Sequence, residues 1–202
     1  MRRWGRGIFA ALLVAGCAPF VAVGGKLTLD DLGFEVDLPE GWYRHQFARE
    51  EVAVKEGAIR VEGPGGKTLV ITRDGLALQT IRVERVSVDS ELPYTKRKFT
   101  AGMPPHDVAE LEVDNVRSNS QIFNFELLEN TPATVAGRSG FRLVYAWRTK
   151  DGLAVKRIHY GFQDGKWVYR LIYQAAARYY FDRDLQTFER VRESFRLLTR
   201  PA

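Results

Sequence analysis

Residues able to do chemistry are few in this chain, and they are scattered. Cys17 is the single cysteine among 202 residues, which excludes a disulfide framework and any multi-cysteine zinc or iron–sulfur site. His45, His106 and His159 stand far apart, with no His-x-x-x-His spacing and no His–carboxylate cluster to hold a metal. His106 and Asp107 fall where a helix would start, and capping is the duty expected of them. Gly65, Gly66, Lys67 and Thr68 end like a phosphate-binding loop, but the glycine required at position 61 is replaced by Val61. The segment also leads into a strand, so no helix N-terminus waits for phosphate and a hairpin turn is expected. Gly137, Arg138, Ser139 and Gly140 miss the nucleophile-elbow pattern because Phe141 occupies the second glycine position. Ser139 therefore reads as a turn hydroxyl. No general base can be paired with a nucleophile, so no catalytic residue, metal or cofactor is predicted.

The best remaining candidate is the stretch from Asp89 to Pro105, long and without clear periodicity. It carries Tyr94, the basic run Lys96, Arg97, Lys98, and then Phe99 and Met103. Loops of that length are often functional, and cations beside aromatics suit lipid headgroups or an acidic partner. A solvated connector with its aromatics tucked onto the sheet is the structural alternative. Tyr179, Tyr180 and Phe181 invite a ligand-stacking role, but their place between a strand and a helix predicts core packing.

Composition bounds what positions these groups. The chain is 45% hydrophobic and 27% charged, as one globular domain would be. A domain of this size can bury roughly 70% of its unfolded surface and needs no metal or disulfide staple. The net charge is +5, but without Arg2, Arg3 and Arg6 it becomes 27 cations against 25 acids, or +2. So weak a basic balance gives no reason to expect a nucleic-acid partner.

Those three arginines precede an apolar run from Ile8 to Ala15, the n-region and h-region of an export signal. Eight helical residues reach only ~12 Å against a ~30 Å hydrocarbon core, so a retained span is the weaker reading. Leu13, Val14, Ala15, Gly16 and Cys17 then resemble the lipobox of bacterial lipoproteins. The resemblance implies cleavage before Cys17, attachment of a diacylglyceryl group to its sulfur and acylation of the new amino terminus. Residues 1–16 would be signal, 17–26 a lipidated start and short tether, and 27–202 a single domain. Ordinary cleavage after Ala18 is the alternative, which Pro19 opposes. Ala18 stands where an aspartate marks inner-membrane retention in many such proteins, so the resemblance implies an outer-membrane anchor facing the periplasm.

Element signals are clearer. Phe34, Val36 and Leu38 alternate with Glu35 and Asp37, predicting a half-buried strand that ends at Pro39–Trp42. Asp74–Gly75 predicts a hairpin between 69–72 and 76–86, and Asp151–Gly152 and Asp164–Gly165 cut 141–176 into a three-stranded meander. Trp167, Tyr169, Leu171 and Tyr173 point one way and Val168, Ile172 and Ala176 the other, so this strand asks for cover on both faces. Two amphipathic segments can supply it: about 105–117, with proline in the first turn, and a second carrying Phe181, Leu185, Phe188, Val191 and Phe195 on one face. No repeat of solenoid or propeller length is present.

In its order of elements the chain resembles the PsbP-like superfamily. The likeness is carried by Gly33, Phe34, Leu38, Pro39, Gly41 and Trp42, then by Pro132, Ala133, Val135, Gly137, Gly140 and Phe141. Tyr173 through Phe181 and the terminal Ser194 and Phe195 complete it. It implies an α+β fold, an antiparallel sheet with helices on both faces, in an α/β/α sandwich. Members generally act as binding or assembly modules and not as enzymes. The expected function is thus a membrane-anchored, non-catalytic envelope lipoprotein that binds another envelope component. The alternatives are a carrier of a small apolar ligand and an envelope hydrolase.

Overall fold

The computed structural model describes residues 20–45 and 66–198. Cys17 and the export signal lie outside the described residues, as does Gly65. Along the chain run β1 Phe20–Leu29, β2 Phe34–His45, β3 Gly66–Thr72, β4 Gln79–Ser87, α1 Pro105–Arg117, β5 Phe123–Val135, β6 Arg138–Arg148, β7 Ala154–Asp164, β8 Trp167–Ala176, α2 Tyr180–Ser194 and β9 Arg196–Leu197. One antiparallel sheet in the order β1-β2-β3-β4-β8-β7-β6-β5 takes in all the long strands, with the short β9 added to β2.

The meander expected from the Asp-Gly turns is β6–β7–β8, and Gly152 and Gly165 adopt the positive φ values of 86° and 58° that made glycine the residue to look for. The Asp74 hairpin also forms, but its connection is longer than a two-residue turn and β4 begins at Gln79, not at Leu76. Side chains explain the difference: Gln79 Oε1 accepts from the Arg73 amide, and Thr72 Oγ1 accepts from the Gly75 amide while donating to the Gln79 carbonyl. These bonds give residues 73–78 a local partner other than the ladder.

Two further expectations are corrected. β2 does not stop at Pro39 but continues to His45, because the register with β1 shifts between Val23 and Gly25 and a bulge absorbs residues 39–41. From Phe20 onward the segment expected as a tether is strand, paired with β2. The bulge lets the β1–β2 hairpin turn back over the sheet. Tyr43 pairs with Thr72 at one end of β3, whereas Asp31 in the hairpin tip accepts from Arg85 Nη2 at the opposite end of β4 (2.8 Å).

Apolar residues gather in two clusters that divide alternate positions of the strands. One holds Phe34, Val36, Trp42, Val144, Ile158, Tyr169, Leu171 and Tyr173 together with Phe181, Phe188, Val191 and Phe195 from α2 and its C-terminus. The other holds Leu143, Tyr145, Trp147, Val155 and Val168 with Val108, Ala109, Leu111 and Val116 from α1, plus Leu92 and Phe99 of the preceding loop. The sheet dominates the molecule. Its outermost strands, β1 and β5, are mostly exposed on both sides.

Candidate functional site

The loop singled out by its basic run is built onto the domain. Phe99 and Leu92 are buried in the α1 cluster, the Leu92 amide bonds to the Arg97 carbonyl (2.7 Å), and Asn115 Oδ1 on α1 accepts from the Tyr94 amide (3.0 Å). Lys96, Arg97 and Lys98 are exposed; Arg97 Nη1 lies 3.1 Å from Asp114 Oδ2, and Lys96 holds a positive φ of 60°. Its aromatic is tucked onto the sheet and its cations face solvent, the arrangement expected of a solvated connector.

The end of this loop forms one wall of an open pocket of about 410 Å³. Ala101, Gly102 and Met103 come from the loop, Pro105 and Val108 from α1, Arg138, Ser139 and Phe141 from β6, and Phe162 and Gln163 from β7. Two glycines bring the strands close here. A Cβ on Gly140 would overlap the Gly161 carbonyl, and one on Gly161 would overlap the Phe141 ring, so the ring lies flat across backbone. Gln163 Nε2 donates to the Thr100 and Gly165 carbonyls (3.0 and 3.1 Å), while its Oε1 is buried at the wall without a protein donor. Arg138 Nη2 pairs with Asp164 Oδ1 (3.1 Å). An amide oxygen, a serine hydroxyl and a guanidinium beside Met103, Val108 and Phe141 can bind a small or extended ligand with both apolar and hydrogen-bonding character.

Under α1, inside the domain, sits a charged network that periodicity did not announce. Arg170 on β8 donates to Glu112 Oε1 of α1 (Nε, 2.6 Å) and to Glu84 Oε2 of β4 (Nη1, 3.2 Å), and Arg82 Nη1 stands 3.1 Å from Glu84 Oε1. On β7, Arg157 donates to Gln174 Oε1 (3.0 Å) and to the Tyr145 hydroxyl (3.1 Å). Burial works to raise the Glu84 carboxyl, but Arg82 and Arg170 outweigh it and hold it below the usual carboxylate range. His159 is 2% exposed and neither ring nitrogen has a protein partner. Burial first, then Arg170, Arg157 and Arg82, drive its pKa well below the ordinary value, so it is a neutral ring packed edge-on to Phe141. The signal was present in the chain, since Arg82, Glu84, Arg157, His159, Arg170 and Gln174 alternate with apolar residues. Such alternation reads as a solvent face until a helix is found on top of it.

These residues do not make a catalytic constellation. His106 is exposed, with Nε2 2.9 Å from Asp107 Oδ1, and the N-cap of α1 is Pro104, with no side-chain cap, contrary to the expected capping role. Buried His159 lies at the network and exposed Ser139 at the pocket; His45 closes β2, and its side chain is outside the description. Among the described residues no group of three His, Cys, Asp or Glu side chains could hold a metal, and no helix is long and apolar enough to cross a membrane. Tyr179 also departs from expectation, being 65% exposed instead of packed in the core.

Solved structures share this arrangement of strands and helices. The solution structure of cyanobacterial PsbP (CyanoP) from Synechocystis superposes with a TM-score of 0.54 at 15% identity, covering 95% of this chain and 99% of that one. The fold is PsbP-like. The Ran-binding protein Mog1p of Saccharomyces cerevisiae gives a TM-score of 0.53 at 8% identity, over 88% of this chain and 97% of that one. No family model matches the sequence, and no curated protein matches it either. At such identities the likeness concerns the fold and leaves the side chains of the pocket and loop as this chain's own.

Proposed function

We propose that the protein is a lipid-anchored component of the bacterial cell envelope. Its PsbP-like domain, an α/β/α sandwich with one helix to each face, acts as a non-catalytic binding or assembly module. The observation that carries the module is the combination of two closed cores with an open, mixed-polarity pocket whose wall is the end of the 89–105 loop. Binding uses such a surface, whereas acyl transfer or hydrolysis needs a nucleophile beside a base. Mog1p, of the same fold, is by its name a Ran-binding protein, which supports the binding class without supplying the partner. Lys96, Arg97 and Lys98, on the same loop, are the contact residues proposed toward an acidic envelope component. The anchor rests on the run Leu13–Cys17 and places the domain on the periplasmic side of the outer membrane.

Replacing Cys17→Ser tests the anchor in intact cells. Loss of palmitate labelling and release into the soluble fraction is the expected result; a variant that stays bound and labelled overturns it. A second reading is favoured by Met103, Val108 and Phe141 in the pocket, namely carriage of a small, partly apolar ligand. Native mass spectrometry of protein purified from the envelope separates the two: a co-purifying small molecule supports the carrier, a crosslinked protein the module.

A further inference from the structure

The exposed large hydrophobics are not spread evenly over the surface. Six of the eight among the described residues, Phe20, Val21 and Tyr43 on the β1–β2 ribbon, Phe123 at the start of β5, Leu153 in the β6–β7 turn and Tyr179 after β8, are 36–65% exposed and lie toward one end. Leu127 and Leu128 lie within the β5 edge strand. The ladder joins the six along one end of the sheet. Tyr43 pairs with Thr72, Thr72 bonds to Gln79, Gln79 pairs with Ala175, Ala176 with Val155, Ala154 with Arg148, and Arg148 with Phe123. Among the described residues none of the exposed large hydrophobics lies at the other end, where the 410 Å³ pocket opens beside Arg138 and Gly165.

The most exposed of them is held out by strained backbone. Tyr179 has φ 75° and ψ −59°, and the Tyr180 amide bonds to the Arg178 carbonyl (3.0 Å), which makes a γ-turn of the rare, strained form. The Tyr179 ring stands edge-on to Tyr180 (5.2 Å) and against the Arg183 guanidinium (5.3 Å), and 65% of the residue still faces solvent. Phe20 is separated from Cys17 by Ala18 and Pro19 alone. Three residues of extended chain reach at most about 11 Å, so an acylated Cys17 would hold this end of the sheet at the height of the headgroups.

We propose that this end of the sheet is a membrane-docking face, in which Phe20, Val21, Tyr43 and Tyr179 enter the bilayer interface beside the lipidated amino terminus. The inference rests on the anchor proposed above. Aromatic and aliphatic side chains partition into the interface, and the acyl chains supply the proximity that makes a patch this small sufficient. Docking fixes the orientation of the domain: the pocket and its loop wall face away from the membrane, toward a partner in the periplasm. The occupant is the lipid surface and not a second copy, because the patch is continuous with the anchor and its members come from separate turns and edges.

The single native thiol is consumed by acylation, so an introduced cysteine is the unique site for a label. Full-length lipidated protein carrying Tyr43→Cys, Leu153→Cys or Lys166→Cys is labelled with a polarity-sensitive fluorophore and reconstituted into phosphatidylethanolamine–phosphatidylglycerol vesicles containing bromolipids. Lys166 lies at the opposite end, in the β7–β8 turn. Quenching at positions 43 and 153 at least about threefold stronger than at 166 is expected for a docked interface. Equal, weak quenching at all three, with palmitate labelling intact, overturns docking and leaves the anchor standing. Absence of palmitate overturns both. Crosslinking between copies through Val21→Cys, without quenching, overturns the lipid occupant in favour of a second molecule at the β1 edge.

Discussion

His159 shows what burial does to an ionisable side chain that has no counter-ion. Its folded pKa lies well below 6.5, whereas in the unfolded chain it returns to about 6.5. The unfolded state therefore takes up a proton first as pH falls. Stability from this residue is complete above the unfolded value and is lost progressively below it, by up to ~1.4 kcal/mol per pH unit. Urea unfolding of His159→Leu is expected to show a flatter pH dependence between about pH 6.5 and pH 5 than the parent protein. An unchanged slope would place the acid sensitivity elsewhere. Glu84 adds a second window: its folded pKa is below 4.5, so its contribution holds above that value and fades further into acid. Gly161 makes a steric statement at the same scale. Because Phe141 lies across it, Gly161→Ala is expected to destabilise by roughly 1–3 kcal/mol and to broaden the Phe141 ring signals in NMR.

At the scale of elements, α1 and the 89–105 loop depend on each other. Leu92 and Phe99 pack in the cluster of α1, Asn115 caps two loop amides, and Glu112 ties the helix to β8 through Arg170. Removing Arg170 leaves Glu112 buried without its cation and Glu84 with Arg82 alone, so Arg170→Leu is expected to lower unfolding free energy by ~3–5 kcal/mol. Hydrogen exchange would show α1 amides losing protection before those of α2, since only α1 hangs on this pair. If both helices loosen together, the network is not what holds α1. The opposite face is sealed by aromatics: Tyr173 stacks on Phe181 and Phe188 at 5.4 and 5.5 Å, and its hydroxyl donates to the Tyr180 and Phe181 carbonyls. Charge enters on that face toward the start of α2, where the buried Asp184 pairs with Arg73 and Arg183 and accepts from Gln79 Nε2.

For the whole molecule the consequence is polarity, with Phe20, Val21, Tyr43 and Tyr179 exposed among charged turn residues such as Arg73 and Lys150 near the amino terminus, and a pocket with a loop wall at the other end. Lys96→Ala, Arg97→Ala and Lys98→Ala combined remove three exposed cations and one surface ion pair, so thermal stability is expected to shift by less than about 1 kcal/mol. Partner crosslinking in intact cells is expected to fall severalfold; an unchanged profile would release the loop from its proposed role.

Much of this molecule was legible in order along the chain. The apolar period of 3.6 marked α1 and α2, the Asp-Gly pairs marked the meander, and the lipobox-like run marked the proposed anchor, because each is a local pattern read within a few residues. β1 and β5 escaped, since edge strands exposed on both sides have no buried face to impose alternation, and Gly24, Gly25 and Pro132 resemble linker. Beyond the reach of local pattern were the partners: Arg170 with Glu84 and Glu112, Phe141 across Gly161, and Tyr43 in line with Leu153 and Phe123. These residues meet only after the sheet has closed its register, and a charge that alternates with valine declares itself core or surface only when a helix settles over it.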